Sequence, residues 1–151
     1  MPACGRDVAS EEQPDRIGRR TPPPPLQGMD FMHENWPEMV VGLSVPLKEL
    51  RAGIPDVMKS FSSLAHAATD AKALDSKTKE LIALGISVAV RCDACIAFHA
   101  ESAVRQGATR DEVMETMGMA IYMGAGPSVM YAAQAVEAYD QFRAKADAAK
   151  S

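Results

Sequence analysis

The chain has 151 residues, 47% of them apolar and 24% charged, with a formal net charge of −4. That is one domain's length with the composition of a soluble globular protein, and there is no second core to allot. The acidic balance leaves no electrostatic footprint for nucleic acid or an anionic membrane, and no uncharged apolar run reaches the roughly 18 residues of a membrane span.

The longest apolar candidate, Leu81 to Val90, is bounded by Glu80 and Arg91. The first residues lack the basic-then-apolar order of a secretory signal. The cysteine count is three, an odd number that does not suit a closed framework of structural disulfides. A reducing cytoplasm and a reactive CxxC fit better.

Residues 1–28 read as a flexible proline-rich tail, with Pro22-Pro23-Pro24-Pro25 in an extended conformation and Cys4 as an incidental thiol. Residues 29–151 read as the folded domain. Asp30 is placed to cap a short helix through Glu34, stopped by Pro37. Glu38 to Ala52 has Met39, Val40, Leu43, Leu47 and Leu50 near helical spacing, with Pro46 predicting a kink or two pieces. Gly53-Ile54-Pro55 is a turn, and Asp56 to Thr69 a helix with Val57, Phe61, Leu64 and Ala68 inward.

Asp75 or Ser76 caps the next helix, Lys77 to about Val90, which is apolar nearly all round and expected to be central and buried. A further helix starts near Asp93 and runs to Gln106, with Gly107 as the residue just past its end. Thr109 with Glu112 is a capping box. The helix it opens carries Val113, Met117, Ala120 and Ile121 and stops at Gly124-Ala125-Gly126. Pro127 opens the last helix, which runs to about Ala146 with Val129, Ala132, Ala133, Val136, Tyr139 and Phe142 facing in. Met114, Met117, Met119, Met123 and Met130 suit core and subunit packing better than a soft-metal surface. The expectation is an all-α domain of about six helices.

The chemistry concentrates in Cys92-Asp93-Ala94-Cys95-Ile96-Ala97-Phe98-His99. On a helix, Cys95 lies about 60° from Cys92 and His99 about 20° from it, so two thiols share a stripe with an imidazole. A cysteine in the first turn of a helix has its thiolate favoured by the macrodipole and free N–H groups. His99, at i+4 from Cys95, is placed to exchange a proton with it, while Asp93 opposes the thiolate. Glu80 lies twelve residues before Cys92, about 18 Å and 120° away on an unbroken helix. It reaches the thiols only if the chain folds back. There, an apolar setting would raise its pKa towards proton transfer. Otherwise Glu80 is a first-turn carboxylate stabilising a helix start. A zinc site would draw its fourth ligand from His33, His66, Glu80 or Cys4. Two inert buried cysteines are a further reading.

The register Glu80, eleven residues, Cys92-x-x-Cys95, three residues, His99, seven residues, Gly107 resembles the signature of the AhpD-like alkylhydroperoxidases of the carboxymuconolactone decarboxylase superfamily. The resemblance covers about residues 38–145. It implies an all-α fold assembling as homotrimers or homohexamers, and a thiol redox centre with no cofactor or metal. It implies that Cys95 attacks a small peroxide, that Cys92 resolves the sulfenic acid, and that Glu80 and His99 belong to the proton relay. Electrons would come from a dithiol donor, either a lipoyl protein or a thioredoxin-like one. Ala94 stands where the best-studied members carry a relay histidine, which predicts slower proton delivery to the leaving alkoxide. The alternatives are a protein disulfide reductase with weak peroxidase activity, a non-enzymatic redox-sensing or metal-binding oligomer, and a lactone decarboxylase, although superfamily decarboxylases typically lack the CxxC.

Overall fold

A computed structural model of the chain describes residues 35–151, all within one unit, His33–Ser151. The expected proline-rich tail, Cys4, His33 and the helix from Asp30 to Glu34 lie outside the described residues. Five helical elements follow: α1 Trp36–Gly53, α2 Pro55–Thr69, α3 Ser76–Ala89, α4 Asp93–Arg105 and α5 Arg110–Ala148. Among the described residues there is no strand, and no helix is long and apolar enough to cross a membrane. The all-α expectation is met.

Helix α1 begins where its chemistry allows. The Glu38 N–H donates to Asn35 Oδ1 at 3.1 Å, and Pro37 sits in the first turn, where a missing N–H costs nothing. Pro37 therefore opens a helix. Pro46 does not split α1, which runs on as one element to Gly53. Trp36, 1% exposed, anchors this end in the core, and its backbone N–H donates to Gln141 Oε1 at 3.0 Å. Ile54 alone separates α1 from α2.

The core lies between α3, α4 and α5. It contains Leu84, Val88, Ile96, Val113, Met117, Tyr139 and Phe142, with alanines at 97, 100, 103, 132, 135 and 138. Small residues on the facing stripes of α4 and α5 let the two backbones approach closely. Thr109 and Glu112 form the capping box in both directions. Lys77 Nζ donates to Glu112 Oε1 at 2.6 Å, tying the start of α3 to the start of α5. The buried Tyr139 hydroxyl donates to Ala108 O at 2.6 Å, and burial pushes its phenol up from the ordinary tyrosine value.

Helix α5 is interrupted at Ala125, whose φ of 55° and ψ of −158° are not helical. This is the break read at Gly124-Ala125-Gly126, so the element comprises two helical stretches. A side chain at Gly124 would run into Ser128 Oγ, which explains the glycine there.

The inward faces were partly misjudged. Val57, Phe61, Leu64 and Ala68 on α2 are all exposed, and α2 buries none of its residues. Val129 and Ala133 are also exposed, as are Met114, Met119, Met123 and Met130. Helix α3 is buried on one face only: Ile82 and Ile86 face solvent. Periodicity identifies an apolar face but says nothing of what covers it.

Candidate redox site at the turn from α3 to α4

The site begins at the N-terminus of α3, where the Thr78 N–H donates to Asp75 Oδ1 at 2.7 Å. That start puts Glu80 past the first turn of α3, which has no acidic residue. Stabilising a helix start is thus not its place. Glu80 instead shares the inward face with Leu84, Ser87 and Val88 and is buried.

Helix α3 closes by a paired cap. The Arg91 N–H donates to Val88 O at 3.2 Å and the Cys92 N–H to Ser87 O at 3.1 Å. These are the two bonds of a Schellman motif, with Arg91 at the left-handed position, φ 58°. Cys92 is at once the last residue of this cap and the N-cap of α4. The chain reverses within these few residues, which is the fold-back that Glu80 requires.

Cys92 and Cys95 are joined as a disulfide with their Cα atoms 5.2 Å apart. Cys92 Sγ also accepts the Cys95 N–H at 3.2 Å, the bond an N-cap side chain makes to the third helical residue. The pair therefore lies at the positive end of the α4 dipole, as read from the sequence. One turn further along α4, His99 Nδ1 lies 2.8 Å from Glu80 Oε2. The Glu80 side chain is 11% exposed and that of His99 33%, so the imidazole is the solvent-facing member. The carboxylate accepts from Nδ1–H, which leaves Nε2 free to take up or release a proton.

The structure thus brings Glu80, Cys92, Cys95 and His99 to one turn and the two helices that flank it. His66 is exposed on α2 and is not brought there. No group of three His, Cys, Asp or Glu residues is arranged to hold a metal among the described residues. Ser87, which accepts the Cys92 N–H, and Arg91, which turns the chain, were not singled out from the sequence. An arginine at a left-handed position carries no composition signal, since glycine or asparagine is the usual marker.

A separate cavity of about 340 Å³ lies between α3 and α5, lined by Ile82, Gly85, Ile86, Met119 and Met123 among others. Ile82 and Ile86 lie about 160° and 120° round α3 from Glu80, both in the same sense, so they sit on a different face of that helix.

Residues 55–138 match the model of the carboxymuconolactone decarboxylase family. A protein of Cupriavidus necator is 39% identical over 90 residues, 60% of this chain and 80% of that protein. One from Haemophilus influenzae is 37% identical over 108 residues, 72% of this chain and 96% of that protein. Among solved structures, an apo carboxymuconolactone decarboxylase family protein of Legionella pneumophila superposes with a TM-score of 0.71 at 48% identity, covering 74% of this chain and 99% of that one. A family protein of Thermotoga maritima, for which a part in the antioxidative response has been suggested, gives 0.67 at 28% identity, covering 75% and 97%.

Proposed function

This chain belongs to the carboxymuconolactone decarboxylase family, and we propose that it is a thiol-dependent peroxidase acting on organic hydroperoxides or hydrogen peroxide. The observation that carries the reading is one constellation: a cysteine pair at a helix N-terminus, with the His99–Glu80 pair one turn away. The antioxidative role suggested for the Thermotoga maritima relative supports it.

In the proposed cycle, the Cys95 thiolate attacks the outer peroxide oxygen and the O–O bond breaks. Cys95 becomes a sulfenic acid, and the alkoxide leaves as an alcohol after taking a proton from His99. Glu80 accepts from Nδ1–H, so Nε2 is the nitrogen that first takes the Cys95 thiol proton, giving an imidazolium, and then passes it to the alkoxide. The Cys92 thiolate then attacks the sulfenic sulfur, water departs and the disulfide closes. A lipoyl or thioredoxin-like dithiol returns two electrons. No cofactor enters, and the reducing cytoplasm is the compartment in which such a pair would be recycled.

Ala94 favours a second reading. Without a histidine before Cys95, peroxide cleavage loses one proton donor, whereas disulfide exchange needs less of the relay. Under that reading the protein is a disulfide reductase with weak peroxidase activity. The exposed apolar residues of α2, α3 and α5 support assembly as a homotrimer or homohexamer.

The test is peroxide consumption with a dithiol donor, using native protein, Cys95→Ser and Cys92→Ser. We expect Cys95→Ser to abolish turnover and Cys92→Ser to stop at a sulfenic acid that a dimedone-type reagent traps. Equal activity of Cys95→Ser and native protein would remove the assignment. Carbon dioxide release from a lactone that survives thiol alkylation would replace it with a decarboxylase.

A further inference from the structure

The turn between α3 and α4 carries a cationic residue, Arg91, immediately before Cys92 in the chain. Arg91 occupies the left-handed region at φ 58°, where glycine is the ordinary occupant because a Cβ crowds the following carbonyl. Its own N–H and that of Cys92 are both tied back to α3, so the residue is held on each side. Arg91 is exposed, and its guanidinium has neither a hydrogen-bond nor an ion-pair partner among the described residues. Arg105, Arg110 and Arg143, by contrast, are each engaged with a neighbouring side chain. From Val90 to His99 there is no other arginine or lysine.

We propose that Arg91 is a positioning residue for the redox couple: its uncompensated cation, one residue before Cys92, stabilises the thiolate form of the reduced pair and makes the disulfide easier to reduce. The reasoning is a comparison of charge. The Cys92–Cys95 disulfide is neutral, whereas a reduced pair that has given up one thiol proton is an anion. A positive charge nearby favours that anion and raises the reduction potential, as any stabilisation of the reduced form does. The α4 N-terminus acts with the same sign. Asp93, next to Cys92 on the other side, acts against it. The charge of Glu80 is engaged by His99. Arg91 therefore offsets Asp93 from a backbone position that the α3 cap holds.

The inference rests on the reading that the pair cycles. In the step concerned, a dithiol donor gives up two electrons and two protons and leaves as its own disulfide. One proton remains on the protein's thiol–thiolate pair and one passes to solvent.

The test equilibrates full-length protein with dihydrolipoamide/lipoamide mixtures at pH 7 and counts free thiols, for native protein, Arg91→Gln, Arg91→Lys and Arg91→Gly. An exposed charge roughly a nanometre from a thiolate changes such an equilibrium by about threefold, or about 14 mV for a two-electron couple. We expect Arg91→Gln and Arg91→Gly both to shift that far towards the disulfide, and Arg91→Lys to stay at the native value. The shift should vanish in 1 M salt, where the screening length is about 3 Å. A native potential in Arg91→Gln would overturn the inference. So would a shift in Arg91→Gly alone, which would make backbone strain the cause. If the native pair fails to equilibrate with the dithiol at all, the proposed cycle falls too. If it equilibrates and Arg91→Gln matches it, only the role of Arg91 falls.

Discussion

From Glu80 to His99 and from Val41 to Leu64 the chain is helical in both cases, yet the two regions differ in what holds them. In the first, the cap of α3 and the N-cap of α4 share Cys92, a disulfide closes the turn, and a carboxylate meets an imidazole across the helices. In the second, Val41, Val45, Phe61 and Leu64 face outward, and Phe61 is 61% exposed. The site is over-determined by bonds within one chain. The α1–α2 segment carries apolar surface that the other described residues leave uncovered. The site is held by bonds within and beside its own turn, whereas the α1–α2 segment owes little of its apolar surface to contacts among the described residues.

The largest expected effect sharpens that contrast. Leu84→Ala, in the α3 core beside Glu80, should cost about 2–5 kcal/mol in a denaturant titration. Leu64→Ala should cost under about 0.5 kcal/mol in dilute monomer. A large, concentration-dependent cost at Leu64 would show that a second copy covers it.

Next comes the relay. Glu80→Gln retains an acceptor for His99 but not the charge, so it should lower peroxide turnover by about a hundredfold with little change in melting temperature. Unchanged turnover would confine the pair to a structural role.

A third experiment breaks the other side of the comparison. Phe61→Ser should move the protein to lower mass by light scattering while leaving the pair's thiol–disulfide equilibrium at the native value. A mass equal to native protein would separate the exposed stripe from assembly.

The smallest effect concerns pH. Hydrogen bonds from Thr78 hold Asp75 below the usual carboxylate range, and the Lys77 ammonium holds Glu112 below it. Their folded pKa values are depressed, so the stability they contribute is present above about pH 4 and lost as pH falls through those values. Lys77 is raised by Glu112, so its share is present below about pH 10 and lost as pH rises through its folded value. A flat stability profile from pH 3 to 5 would deny the two carboxylates this role. Lys77→Met should reduce the part due to Glu112, leaving the share held by the Thr109 N–H and nearly all of that due to Asp75.

Much of this was legible from residue order. Asp75, Thr109 with Glu112, Gly107 and the break at Gly124-Ala125-Gly126 are local signals, and each marks the boundary that the structure shows. The CxxC and the histidine four residues later are likewise local, because a helix fixes their spacing. The contact between Glu80 and His99 was legible only as a condition, since it depends on a chain reversal between them. Phe61 and Leu64 have real helical periodicity, but no described residue covers that face, and periodicity alone does not say what does. Trp36 was overlooked because a lone aromatic beside a proline has no period to reveal it.

Residue order by itself determined the helical class, most helix ends and the cysteine–histidine stripe, because caps, turns and i, i+4 neighbours act over a few residues. Tertiary structure alone decided that Glu80 would meet His99, that Arg91 would take a left-handed turn beside the sulfurs, and which apolar faces remain uncovered. Those outcomes depend on how separate helices pack, and packing energy is set by distant partners that no short window of sequence contains.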